Sequence, residues 1–412
     1  IEEHFYSPLG LTVLKENTTD YTKGSVAYLT STYNSGYMTG DIKGAWLSDT
    51  DTTNVVGTEL VTNGTFDTDT TGWTFVDNGT SSATVAGGVL TYAHTTYTGS
   101  YVYQTIACVI GETYTISGNS GGAFAAYANI RVGTNLGSNE NVSVIGENPF
   151  ARTFVATQTA HYLSLRINSS TANYSVTFDN ISVRLADADR SVNANGLQVN
   201  GTITKTAVAT GADLVAYSGF SASNYLEQPY NADLDFGTGD FSVMGWVNQS
   251  SLANNQGWFS RNVSNRLFSI IYATADSSIR IYLGGSARII YGYTPALNTD
   301  IQYCIVRSSG TLYLYINGEV VTSVANATSV TSGTPRLTLG IEYYSAVLSL
   351  LSVESKLALW RISATAPTAA QIKEIYEAEK PLFQENAKCT LNGSSDAVQC
   401  LAYDDSTSEL VV

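Results

Sequence analysis

Between residues 240 and 247, Phe241, Val243, Gly245 and Val247 alternate with Ser242, Met244 and Trp246. Between 312 and 318, Leu312, Leu314 and Ile316 alternate with Tyr313, Tyr315 and Asn317, and Asn317-Gly318 follows as a turn. A period of two marks a strand with two unlike faces, and Asn-Gly is the strongest short hairpin signal. Strands of the same kind lie near 258–260, 268–272, 279–283, 301–307, 336–339 and 357–362. Together they predict a large antiparallel sandwich.

A second series precedes the first. It opens at Glu59, passes Gly72-Trp73, and runs through strands near 89–92, 101–106, 114–117, 126–132, 153–156, 162–167 and 175–185. Short strands at regular spacing with turn signals between them predict another sandwich. Polar stretches at 48–53 and 187–199 flank this unit, and Asn200-Gly201 marks a turn after it. At the two ends, 10–16, 25–32 and 43–47 read as short strands, and 398–403, 404–408 and 409–412 read as strand, turn, strand. Neither end has enough apolar positions to close a core, so the chain is expected to be a segment of a longer polypeptide. One stretch departs from the period of two. Ile372, Ile375, Tyr376 and Glu379 recur at i, i+3, i+4, i+7, apolar except for the last, and Thr368 and Gln371 fit a capping box. A helix is predicted there, stopped by Pro381.

A chain of 412 residues has room for two to four domains, each with a full core. Only 13% of its residues are charged, while Thr, Ser, Asn, Gly and Tyr abound. This is the profile of an all-β extracellular or particle-surface protein. The formal net charge of −15 repels phosphate backbones and anionic membrane surfaces, so no nucleic-acid partner is expected. No apolar run approaches the roughly 18–20 residues of a membrane span. Ile1-Glu2-Glu3-His4 has neither the basic start nor the apolar block of a signal peptide. Cys108 and Cys304 sit singly in apolar strand-like runs, where a buried thiol is expected. Cys389 and Cys400 flank a turn-like 392–396 and are the candidate disulfide. Their spacing matches no zinc pattern.

A glycosidase needs two carboxylates converging on one bond. The acids here lie in turns (Asp49 and Asp51, Asp67 and Asp69, Asp233 and Asp235, Asp404 and Asp405), where they cap and bend the backbone. The one Gly-x-Ser-x-Gly, at 118–122, is followed by a strand-like run instead of the helix that a nucleophile elbow requires. His94 and His161 fall in strand-like runs. No enzyme is expected. Saccharides stack on flat aromatic rings while their hydroxyls meet Asn, Asp and Gln. Among 27 tyrosines, Tyr92, Tyr97, Tyr101 and Tyr103 are the candidate glycan platform, with Tyr291 and Tyr293, or Tyr343 and Tyr344, as alternatives. Asn-x-Ser/Thr sequons recur, Asn63 and Asn392 among them, and mark surface loops only in a secreted eukaryotic protein.

Several stretches carry resemblances. Leu-Val-Thr-Asn-Gly-Thr-Phe from Leu60, Gly72-Trp73, and Phe178-Asp-Asn-Ile-Ser-Val183 resemble the jelly-roll carbohydrate-binding modules with a galactose-binding-like fold, over 56–187. That resemblance implies a structural calcium held by Asp67 and Asp179, with Asp67 standing where a longer Glu is frequent. Residues 201–383, closing on Leu359-Trp-Arg-Ile-Ser363 and the helix, resemble a laminin-G-like, concanavalin A-like sandwich. For a calcium loop there, Asp233, Asp235 and Asp240 are available, but Lys356-Leu357-Ala358 stands where an acidic pair is often found. The ends, 1–55 and 384–412, resemble partial β-propeller blades, and 188–200 reads as a linker. The module order is similar to that of tail-fibre and other structural proteins of tailed bacteriophages.

The fold expected is therefore all-β, two sandwich or jelly-roll domains in tandem with short β segments at both ends and one short C-terminal helix. The function that the resemblance implies is a non-enzymatic structural or adhesive protein at the virion surface. Its partners would be host-surface glycans or other virion proteins, as a homotrimer and with no membrane insertion. The alternatives are the binding portion of a secreted polysaccharide-degrading enzyme and a bacterial surface adhesin.

Overall fold

The structure, a computed structural model, describes residues 41–95, 99–191, 193–345, 347–349 and 354–387. It also gives the backbone of two hairpins, Leu11–Lys15 with Ser25–Tyr28 and Ala402–Asp404 with Glu409–Val411. Cys389 and Cys400 lie outside the described residues, as does Tyr97.

Two β-sandwiches with separate cores make up the body. In the first, one sheet has five strands in the order Val142–Ile145, Ala128–Gly133, Ala160–Ile167, Tyr101–Ala107, Thr74–Val76. The facing sheet runs Phe150–Val155, Thr113–Gly121, Tyr174–Asp187, Val89–His94, Ser81–Ala86. Between them Leu90, Val102, Ile106, Ile116, Ile130, Leu163, Leu165, Val176, Phe178 and Val183 form one core. Cys108 is buried there as a free thiol, and burial pushes its pKa up to about 11. His161 is also fully buried, its ring nitrogens without hydrogen-bond partners among the described residues.

In the second sandwich, Glu319–Ala325, Thr311–Ile316, Asp300–Ser308, Phe241–Gln249 and Ser355–Ser363 lie side by side. The opposite sheet runs Ser286–Gly292, Ser278–Leu283, Phe268–Ala273, Gln256–Asn262, Arg336–Leu339, Tyr225–Gln228. The alternation read from the sequence sorts the side chains as expected. Phe241, Val243, Val247, Leu312, Leu314 and Ile316 enter the core between the sheets. Met244, Trp246 and Tyr315 enter a second cluster on the outer face, with Cys304 and Val306. Gly245 is small because Trp360 crosses it, and a Cβ at this position would lie 2.4 Å from the indole. Asn317 and Gly318 take positive φ, 51° and 78°, in the tight turn between paired strands, as a hairpin turn of this kind requires.

The helix Ala369–Glu379 covers that outer cluster with Ile372 and Ile375. Thr368 and Gln371 make the reciprocal capping box, and Pro381 falls in the short 3-10 turn Lys380–Phe383 that follows. Glu379, the one polar member of the apolar face, is buried and accepts from Trp246 Nε1 at 2.7 Å and from the Arg361 guanidinium. The helix is thus fastened by a buried carboxylate as well as by apolar packing.

Two sequence boundaries are corrected. Ile42–Trp46 is not part of a separate N-terminal blade: it pairs with the strand Ser355–Ser363, and Trp46 lies in the core of the second sandwich. Its indole donates to Asn195 O at 2.9 Å. The first sandwich is therefore an insertion between this strand and the remainder of the second. Residues 188–200 are not wholly a linker either. The strand Leu197–Ala207 buries Leu197 and Val199 in the second core. It pairs with Tyr225–Gln228 through residues 198–200 and with Val215–Ser218 through 204–207, so it passes from one sheet to the other. Asp189 organises the turn before it, accepting from the N–H groups of Ala45, Ser191 and Asn195 at 2.8 Å.

Candidate functional site

Along Tyr101–Ala107 the parity is clear: Val102 and Ile106 face the core, and Tyr101, Tyr103 and Thr105 face outward. Gln104, on the inner side, pins the 62–72 loop by accepting from Thr62 N and donating to the carbonyls of Thr62 and Gly72. Side chains directly opposite in neighbouring strands share a face. The register therefore places Thr74, Tyr103, Ser164, Arg131 and Ser143 in one row across the outer surface of this sheet. Tyr162 stands opposite Thr105, and Arg166 opposite Asn129.

The rings of Tyr101 and Tyr103 meet edge to face, 6.2 Å apart, and Tyr103 and Tyr162 lie 6.1 Å apart. Arg131 donates from Nε to Asn129 Oδ1 at 2.6 Å and reaches Gly137 O at 3.2 Å, while Asn129 Nδ2 donates to Val144 O. Asn129 and Ser164 are fully buried although they face outward, and Ser164 Oγ has no hydrogen-bond partner among the described residues. The 134–140 loop stands beside this row. A Cβ on Gly133 would strike Ser138 Oγ at 2.1 Å, so only glycine lets the loop sit that close. Glu140 staples the loop by accepting from Thr134. Hydrogen bonds from Thr134 and Ser138 hold its carboxyl down to about 2. Aromatic rings beside a held guanidinium form a surface suited to a saccharide: apolar C–H faces stack while hydroxyls pair.

The platform expected from the sequence is only partly assembled here. Tyr101 and Tyr103 come together, but Tyr92 does not belong: on Val89–His94 it shares the inner face with Leu90 and is 1% exposed in the core. Tyr162, Arg131, Asn129 and Ser164 were not anticipated, because they arrive through strand pairing that no local pattern reports. Of the alternatives, Tyr291 and Tyr293 pack on the second core. Tyr343 and Tyr344 lie under Arg336 and Arg266, respectively.

Asp67 is exposed, and the Asp179 carboxylate receives Asn180 N and Nδ2 at 2.7 and 2.8 Å. Among the described residues no group of three or more His, Cys, Asp or Glu side chains is placed to hold a metal. Asp235 pairs with Arg261 and Tyr230, and Asp240 accepts from Ser309 N. Asp187 and Asp49 border a cleft of about 600 Å³ between the sandwiches. Both Asp187 oxygens are taken, one by Tyr217 Oη at 2.6 Å and one by Leu47 N at 2.9 Å. Asp49 is tied to Lys205 at 2.7 Å.

Burial pushes the Asp187 carboxyl up to about 6 from an ordinary 3.8. The folded state holds this proton more tightly than the unfolded chain, so the stabilisation is complete below 3.8 and is lost as pH rises through about 6. Asp187→Asn mimics the protonated group, donating to Tyr217 and accepting from Leu47. Its stability relative to wild type is expected to rise across that window by on the order of 2–3 kcal/mol. Urea unfolding of both proteins as a function of pH checks this, and parallel profiles would refute it.

The fold is a pair of β-sandwiches with separate cores. Residues 220–373 match the family model described as the concanavalin A-like lectin/glucanases superfamily, and the second sandwich is a concanavalin A-like domain. No curated protein matches the chain. Among solved structures, the receptor-binding domain of botulinum neurotoxin C/D mosaic serotype is similar at 14% identity and a TM-score of 0.37, covering 47% of this chain and 48% of that one. Domain 4 of AbnA, a GH43 extracellular arabinanase from Geobacillus stearothermophilus in complex with arabinotriose, is similar at 19% identity and a TM-score of 0.37. There the match covers 46% of this chain and 92% of that one. The binding domain of botulinum neurotoxin DC in complex with rat synaptotagmin II is similar at 13% identity and a TM-score of 0.37, over 47% and 48% of the two chains. The chain thus spans about half the length of the toxin domains.

Proposed function

We propose that this chain is a non-enzymatic glycan-binding protein that presents the Tyr101, Tyr103 and Tyr162 face of its first sandwich to a saccharide. The observation that carries the reading is the cluster of three tyrosine rings on the outward face, beside the held guanidinium of Arg131. Isothermal titration against a panel of neutral oligosaccharides tests it. Tyr103→Ala is expected to weaken binding by about thirtyfold, the loss of one central aromatic anchor worth about 2 kcal/mol. If wild type binds no member of the panel, or Tyr103→Ala binds as wild type does, the reading falls.

The finer reading is a virion appendage, a bacteriophage tail fibre or related part, acting outside the cell at the host surface. It is supported by the module order of the sequence. Mass spectrometry of purified particles tests it. Other virion proteins and a homotrimeric assembly belong to the same proposal, as does a structural calcium bridging Asp67 and Asp179. Such an ion would join the 63–69 turn to the strand Tyr174–Asp187, where Ile181 N already donates to Gly64 O. The competing reading, the binding part of a polysaccharide-degrading enzyme, is separated from this one by glycan turnover in a longer form of the protein.

A further inference from the structure

The insertion of the first sandwich into the second creates a groove between them, and we infer that this groove is a second saccharide site, separate from the tyrosine face. It has a volume of about 380 Å³ and is lined from both bodies, by Glu147 and Arg152 on one side and Gln228, Tyr230, Asn231 and Asp233 on the other. That volume falls within the roughly 300–1,000 Å³ common to small-molecule sites.

Two amides lining the groove are fixed in orientation and incompletely used. Gln228, 2% exposed, donates from Nε2 to Asn195 O at 2.9 Å, which leaves its Oε1 buried without a partner among the described residues. Asn231 accepts from Asp233 N at 2.9 Å through Oδ1, which leaves Nδ2 buried and unpartnered. Flipping either amide would forfeit the bond it now makes. Buried polar groups are ordinarily paired, so one unused acceptor and one unused donor on residues that line the same groove point to a ligand that supplies both. A sugar hydroxyl does, since it donates and accepts at once. The wall carrying Asn231 is held in place: Arg261 donates to Val330 O and Asn231 O and pairs with Asp235, which also receives the Tyr230 hydroxyl. Charge argues for a neutral ligand. Arg152 is already neutralised by Glu147, and Asp233 adds a negative charge, so among the described residues an anion finds no free cation here. The Tyr230 ring and Pro149 supply apolar surface for a C–H face.

The test uses the whole chain, with galactose, mannose and N-acetylglucosamine as probes in saturation-transfer NMR and titration. In the Tyr103→Ala background, which weakens the tyrosine face about thirtyfold, sugar binding is expected to persist. Asn231→Asp keeps the acceptor for Asp233 N but replaces the donor, and should weaken this residual binding about tenfold, the loss of one buried hydrogen bond. Ala232→Trp, at an exposed position, fills the groove and should abolish it. The thermal midpoint of each variant without sugar establishes that it is folded. The inference is overturned if the Tyr103→Ala protein binds none of these sugars, or if its residual binding is indifferent to both groove substitutions. Loss of the tyrosine-face site alone would leave the groove signal, so the two readings fail separately.

Discussion

Glu379→Ala is expected to destabilise the second sandwich by about 3–5 kcal/mol, because removing one member of a buried ion pair strands the other. Glu379 and Arg361 are 1% and 3% exposed at their side chains. The carboxylate also takes the Trp246 indole at 2.7 Å and Gln302 Nε2 at 3.4 Å. Truncation leaves a guanidinium, an indole N–H and an amide in a space lined by Met244, Cys304 and Ile375. A double variant, Glu379→Leu with Arg361→Met, removes both charges and should recover part of the loss, with a coupling on the order of 1–3 kcal/mol. Urea unfolding of the singles and the double checks this, and additive losses would show that the pair is not a unit.

Arg307→Met is expected to cost a comparable amount, on the order of 3–5 kcal/mol, for a different reason. Arg307 is fully buried, and its guanidinium donates to Gly239 O and Gly237 O at 2.7 Å and Thr328 O at 2.5 Å, over the Phe241 ring at 4.6 Å. Each of these bonds ends on a backbone carbonyl of the 237–239 or 326–330 loops. Orphaning buried acceptors costs about 1–3 kcal/mol apiece, less where water reaches them. Lysine keeps the charge but lacks the planar fork, so Arg307→Lys should fall between wild type and methionine. Urea midpoints order the three proteins, and faster hydrogen exchange at 237–240 and 326–330 would locate the loss. Equal midpoints for Arg307→Lys and wild type would contradict the fork argument.

The same residues show how far the sequence is legible. The period of two in 240–247 and 312–316 reports faces correctly because each strand is buried on both sides by different partners, one the facing sheet and the other the helix. Glu379 stood out as the polar member of an apolar face. The structure explains it through Trp246 and Arg361, neither of which is close in sequence. Tyr92 was misplaced because Val89 and Leu90 are both apolar, so the parity of that strand is ambiguous until pairing fixes it. Tyr101 and Tyr103 were legible because Val102 and Ile106 mark the inner face between and after them. Their companions Tyr162, Ser164, Asn129 and Arg131 come from strands joined by register alone. The pairing of Ile42–Trp46 with Ser355–Ser363 spans the whole insertion, and local pattern carries no trace of so distant a partner.

The most direct measurement is a crystal structure of the chain with the tightest-binding oligosaccharide of the panel. The sugar is expected on the outer face of the first sandwich, a ring against Tyr103 and a hydroxyl on Arg131. A sugar held only by the second sandwich, with the tyrosine row bare, would contradict the assignment of that face.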